Sequence, residues 1–267
     1  MSTFHVMAGG GERASAFPRI RQIRLSDVET ALRQGWDDFL ALRSELVIGA
    51  LIYPVIGLVL AYWSSGANIL HLLYPLAAGF ALLGPFAAIG LYEISRRREA
   101  GVETTSWSAL EVFKSPALPS IVALGLLLAL AFLAWLGAAQ ILYQTLMGEN
   151  APASLSALVA EVTTTENGIW LIVLGNAIGF VFAALVFCAT AIAFPLMIDR
   201  DVGLAVAVGS SFEAVWKNPG PMTAWALTIA IVLALGFAAG LIGLAVAMPV
   251  LGHATWRLYR ALVPRAP

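Results

Sequence analysis

The chain has 267 residues, is 60% apolar and 12% charged, and carries a formal net charge of −1 with a mean hydropathy of +0.86. A water-soluble domain carries about a quarter charged residues, so this composition leaves too little polar surface to cover a soluble fold and points to a membrane domain. The net charge argues neither for nor against an acidic partner, and the lone cysteine, Cys188, excludes an intrachain disulfide.

Residues 1–25 are rich in Gly and Arg without periodicity and read as a flexible cytoplasmic arm. Within residues 1–44 no apolar core of signal-peptide type is present, so the first span is expected to act as an uncleaved start-transfer segment. A helix is predicted from Ser26, with Ser26 as cap and Glu29 reaching back in a capping box. Val28, Leu32, Trp36, Phe39 and Leu40 form its apolar stripe, while Asp27, Arg33, Gln34, Asp37 and Asp38 lie mostly off it. Such a helix is expected to lie along the cytoplasmic membrane surface.

Crossing the hydrocarbon takes about 20 helical residues. Spans are predicted over Leu46–Trp63, Ile69–Ile94, Leu118–Met147 and Ile169–Ile198. The run Pro221–Val263 is too long for one span and fits a hairpin of two, turning near Gly240–Gly243. The outer loop Gly148–Gly168 contains a short amphipathic helix beginning at Ser154, either a surface helix or a lid. Residues 26–263 thus read as a six-span domain and 264–267 as a tail.

All fifteen Lys and Arg residues then fall on one side. Cytoplasmic loops collect basic residues, so both termini are expected in the cytoplasm. Tyr62, Trp63, Tyr74 and Trp170 are expected at outer ends, and Tyr92, Trp107, Trp216, Trp256 and Tyr259 at inner ends. Glu111–Pro119 (EVFKSPALP) is similar to Glu213–Pro221 (EAVWKNPGP), and a second capping box is predicted at Ser108 and Glu111. Leu204, Val208, Phe212 and Trp216 recur every four residues, and the returning spans carry Pro85, Pro195 and Pro249 near their inner ends. The chain therefore reads as three units, each a surface helix and two spans.

The segments PVLGHATWRLYR (Pro249–Arg260), FPLMIDRDVG (Phe194–Gly203), KNPGPM (Lys217–Met222) and GPFAAIGLYEISRRRE (Gly84–Glu99) resemble a bacterial family of predicted integral membrane proteins known as a domain of unknown function. The resemblance runs over Ser26–Val263 and implies an inner-membrane, multi-span helical protein. It implies no activity.

Glu93, Asp199, Arg200, Asp201 and His253 are the candidate ligand-binding residues, all near cytoplasmic span ends. In the functional reading, Asp199, Arg200 and Asp201 form a gate or proton-accepting group. In the structural reading, Asp201 caps the following helix. Glu93 beside Arg96 and Arg97 carries the same two readings. His71 and His253 fall at opposite ends of their spans, so no shared metal site or haem motif is expected. Gln140, Gln144 and Asn176 are the deepest polar residues and are expected to bond neighbouring helices. No Asp, Glu, Lys or Arg lies at mid-depth, which disfavours an ion-coupled carrier. Gly175 with Gly179 and Gly236 with Gly240 are read as close-packing pairs.

No cofactor, zinc spacing, phosphate loop or catalytic motif is recognised. Arg96–Arg98 is too short a run for nucleic acid and reads as an anchor attracting anionic headgroups. The leading reading is a non-enzymatic accessory or scaffold protein of a membrane complex or of lipid organisation, with membrane lipid and other membrane protein subunits as the expected partners. A permease for a small or lipid-like solute is the alternative, and a lipid-acting membrane enzyme the third.

Overall fold

The computed structural model describes residues 17–41, 62, 70–80, 84–149, 152–239 and 243–265. The first predicted span lies almost wholly outside them, as do the arm up to residue 16 and Gly240. Every regular element among the described residues is helical. The α-helices are α1 (Leu25–Ala41), α2 (Leu73–Phe80), α3 (Gly84–Ala87), α4 (Ile89–Glu99), α5 (Leu118–Met147), α6 (Leu155–Thr164), α7 (Glu166–Thr190), α8 (Ala193–Arg200), α9 (Leu204–Lys217), α10 (Pro219–Ala238) and α11 (Leu244–Leu262). Among the described residues two 3-10 segments accompany them, Leu70–Leu72 and Ser106–Lys114. Among the described residues, three stretches are long and apolar enough to cross a membrane: Leu118–Met147, Glu166–Arg200 and Pro219–Ala238.

The chain divides into two compact units. In the first, which includes α1, α4, α8, α9, α10 and α11, the C-terminal helix α11 is the core element. Ala254, Trp256, Leu258, Tyr259 and Leu262 are fully buried on it. Its principal neighbour is α1, whose buried face is Val28, Ala31, Gly35, Asp38 and Phe39. The two backbones meet closely at Gly35, where a Cβ would lie 2.6 Å from the backbone nitrogen of Ala254.

One residue departs from the expected stripe on α1. Val28 and Phe39 are buried and Trp36 and Leu40 are 45% and 52% exposed, but Asp38, expected off the stripe, is 4% exposed. The physical reason is a partner: Arg257 of α11 binds Asp38 through both guanidinium nitrogens, at 2.8 and 2.9 Å. A buried carboxylate is tolerated when a guanidinium meets it in this way.

Several caps also differ from expectation. At α1 the carboxylate of Asp27, not Ser26, accepts a backbone bond, from Arg24 N–H at 2.7 Å, while Ser26 only offers its carbonyl to Thr30. The Ser106–Lys114 helix has its capping box at Thr105 and Ser108, three residues before the expected one. Asp201 does not begin α9; it ends α8 in the left-handed conformation (φ 49°, ψ 40°), and Gly203 precedes α9. Ser154 does cap α6, accepting from Ala157 N–H at 3.1 Å.

The predicted spans fare differently. Leu118–Met147 is a single helix with the expected ends. Over Ile69–Ile94 the described residues form a 3-10 turn, α2, α3 and α4, and residues 69 and 81–83 lie outside them. The run to Ile198 breaks after Thr190, where Pro195 cannot donate to the carbonyl of Ala191 and crowds it. Pro221–Val263 divides into α10 and α11, as the hairpin requires. Among the inner-end aromatics, Trp107 and Trp216 are 75% and 88% exposed, but Tyr92, Trp256 and Tyr259 are core residues. Their rings fill helix contacts in the first unit.

In the second unit, α2 meets α5 and α7, and the Leu70–Leu72 turn lies against α6. Gly79 and Gly179 each lie against the Trp135 indole, so small residues here admit an aromatic ring. The Trp135 indole N–H donates to the Pro75 carbonyl at 2.8 Å. Gln140 meets His71 Nε2 at 2.6 Å, and Asn176 accepts from the Tyr74 hydroxyl at 2.9 Å. Both deep polar residues thus bond neighbouring helices, as expected. Gly236, in the first unit, meets Gly243 and Ala247 across the α10–α11 turn.

Candidate functional site

The short helix α4 brings Glu93 together with Arg96 and Arg97 because residues three and four apart share a face. Glu93 is 3% exposed and accepts from Arg96 Nε and Nη2 at 2.8 and 2.7 Å and from Arg97 Nε at 2.7 Å. Arg97 extends to Glu111 at 3.4 Å, and Glu111 holds Lys114 at 2.9 Å. The end of α8 supplies the facing side. Asp199 accepts from the Tyr259 hydroxyl at 2.6 Å and from Arg260 Nη1 and Nη2 at 2.7 and 2.6 Å. Arg200 Nη2 donates to the Pro264 carbonyl. Arg200 Nε lies 3.5 Å from Asp199 Oδ2, yet is buried without a hydrogen bond.

These groups surround an open cavity of about 430 Å³. Its cations are Arg96, Arg97, Lys114 and Arg200; its carboxylates are Glu93, Glu111, Asp199 and Asp201; Ser115, Pro116 and Ile198 complete it. Four of the five residues singled out from sequence therefore meet here. His253 does not. It is fully buried on α11, with Nδ1 2.7 Å from Ser95 Oγ. Among the described residues, no group of three His, Cys, Asp or Glu side chains could hold a metal ion.

A wider ion-pair network surrounds the cavity, and sequence reasoning missed it. Arg257 binds Asp38 of α1, Arg260 binds Glu99 of α4 and Asp199 of α8, and Arg265 binds Glu99 at 2.5 Å. Trp256 Nε1 also donates to Glu99 at 2.8 Å. Burial acts to raise the Glu99 carboxyl, but the hydrogen bonds from Arg260, Arg265 and Trp256 outweigh it and hold the group below its ordinary range. The pairs within α4 follow from i, i+3 and i, i+4 spacing. Those that bring Arg257, Arg260 and Arg265 to Asp38, Glu99 and Asp199 span more than 60 residues and have no local signal.

Chemically, the arrangement offers fixed charge. Glu93 and Asp199 are each committed to guanidinium groups, and the histidine that could move a proton is away from the cavity.

Residues 73–199 match the family described as Predicted integral membrane protein (DUF2189), a family of unknown function. The match takes in Glu93 and Asp199 and stops short of Arg200, Asp201, His253 and the Pro249–Arg260 ending. No curated protein and no solved structure matches the chain.

Proposed function

From a chain that matches an integral membrane family, we propose a non-enzymatic, multi-pass protein of the bacterial cytoplasmic membrane with six spans and both termini inside. Its role is that of an accessory or scaffold component of a membrane complex or of lipid organisation. The observation that carries this reading is the commitment of the ionisable residues. Asp38, Glu99 and Asp199 are bound by arginines of α11 that tie α1, α4 and α8 to it, and Glu93 is held by arginines of its own helix. A general acid or base needs a proton it can exchange with substrate, and carboxylates held this way serve assembly better. The exposed aromatics of three surface elements, Trp36 on α1, Trp107 and Phe113 on the 3-10 helix, and Phe212 and Trp216 on α9, add support by presenting amphipathic rings to an interface.

The permease reading draws on Pro195 and Pro249 and on the paired motifs Glu111–Lys114 and Glu213–Lys217, which form equivalent ion pairs. The enzyme reading is weakest, because His253 is bonded to Ser95 inside the first unit and does not line the cavity.

The test is purification of the tagged full chain in a gentle detergent, with identification of co-purifying proteins and lipids. A stoichiometric membrane protein or a selectively enriched lipid is expected. Recovery of the chain alone, together with solute flux in proteoliposomes, would replace the accessory role with transport.

A further inference from the structure

The geometry points to a headgroup site: we propose that the cavity between α4, the Ser106–Lys114 helix and the end of α8 binds a phosphate group bearing a protonated primary amine, as in an ethanolamine phospholipid. This rests on the lipid-organising part of the proposed function and names the lipid chemistry.

The charge pattern is the first support. The lining carries as many cations as carboxylates, namely Arg96, Arg97, Lys114 and Arg200 against Glu93, Glu111, Asp199 and Asp201. A simple anion entering it would meet four carboxylates, and a simple cation four cations. A zwitterion with phosphate and ammonium a few bonds apart satisfies both sets. The second support is which groups remain available. Glu93 and Asp199 are recessed and fully engaged, whereas the Lys114 and Arg96 side chains are 76% and 39% exposed. Arg200 Nε is a buried donor without a hydrogen-bond partner. Asp201 makes no ion pair among the described residues. Phosphate oxygens therefore have guanidinium and ammonium donors left to them, and an ammonium has the Asp201 carboxylate.

The third support is position. Pro116 precedes α5 by two residues and Ile198 lies in the last turn of α8, so the cavity opens where two apolar helices end. Above it, the first turns of α5 expose Val122 and Leu126, an apolar surface suited to an acyl chain. A volume of about 430 Å³ lies within the range of small-ligand sites, about 300–1,000 Å³.

The experiment is native mass spectrometry of the detergent-solubilised full chain with phosphatidylethanolamine, phosphatidylcholine and phosphatidylglycerol of the same acyl length. Ethanolamine lipid should be retained about tenfold over the others, because choline has no N–H donor for Asp201 and glycerol has no cation. The pair Lys114→Gln with Asp201→Asn should lose that preference; asparagine accepts the left-handed backbone of Asp201. Lys217→Gln is the control, since it breaks the matching pair with Glu213 but does not line the cavity. If the double variant has a lowered Tm, Lys114→Gln alone carries the test, as its side chain is largely solvated.

Equal retention of the three lipids, a preference for phosphatidylglycerol, or a stable variant that still selects ethanolamine lipid would overturn the proposal. Free phosphoethanolamine is added as a competitor. Displacement at concentrations matching the lipid assigns the same site to a soluble phosphoamine, and resistance assigns it to the lipid. Binding in detergent is independent of orientation and of any protein partner. Loss of lipid selectivity with a stoichiometric protein partner still recovered would therefore remove this site and leave the accessory role standing.

Discussion

Asp199 joins the ends of α8 and α11 at one side chain, and that decides what its removal does. It accepts from Tyr259 and from both terminal nitrogens of Arg260. Asparagine keeps the shape but leaves Arg260 short of charge in a part-buried setting, which costs about 2 kcal/mol. His253→Ala removes the Ser95 contact and opens a void in a fully buried position, costing a similar amount, about 2–3 kcal/mol. Both variants should lower Tm and membrane abundance together. A variant with wild-type abundance and Tm that behaves like the deletion strain would instead give that residue a chemical role. Glu99 makes a pH prediction. Its carboxyl is held below its ordinary range in the folded chain, so it contributes stability above the unfolded carboxylate range, and that contribution is lost as pH falls through its lowered folded value. Thermal melts from pH 7 to pH 3 should show a decline at the acid end that is shallower in Glu99→Gln.

At the scale of elements, α1 has two adjacent apolar surfaces with different partners. Val28, Ala31, Gly35 and Phe39 face α11, whereas Leu25, Trp36 and Leu40 are exposed. Spin labels at 36 and 40 in liposomes should be relaxed by oxygen, labels at 33 and 37 by an aqueous nickel reagent, and labels at 28 and 35 by neither. Aqueous exposure at 36 and 40 would remove α1 from the membrane surface. Gly35→Ala tests the close approach. Its Cβ would press on the backbone of Ala254, which cannot rotate away as a side chain could, and a loss of about 1–3 kcal/mol is expected in Tm measurements. What the sequence made legible here follows one rule. Where a helix is apolar all round, as in α5, length and hydropathy found both ends. Where it is amphipathic, the stripe mixes residues meant for lipid with residues meant for protein, and Asp38 was misassigned because its partner is 219 positions away. The cavity was legible on its α4 and α8 sides through Glu93 and Asp199–Asp201. Lys114 and Glu111 were visible only as a repeated motif, since nothing local brings the 3-10 helix to α4. His253 was grouped with them because position along a span is readable while side-chain direction is not.

For the whole molecule the open question is the parity of crossings, and the ion pairs bear on it directly. Arg257, Arg260 and Arg265 bind Asp38, Glu99 and Asp199, which the six-span reading places in the N-terminal region and in two inner connections. A five-span chain would put these arginines outside, across the hydrocarbon from all three carboxylates. α11 is long enough for a crossing: 19 residues at about 1.5 Å each give about 29 Å, close to the hydrocarbon thickness of about 30 Å. It is more buried and more polar toward its end than α5, α7 or α10, which is why hydropathy alone ranks it below them. Reporter fusions after Gly66, Glu149 and Gly240 should therefore read external, and fusions after Gly101, Gly209 and Pro267 internal. A charge-reversal pair sharpens the result. Arg257→Asp should destabilise the chain, and adding Asp38→Arg should recover part of the loss, because the two side chains then meet with signs exchanged. An external C-terminal reporter in a stable chain, with no such recovery, would exclude the six-span arrangement.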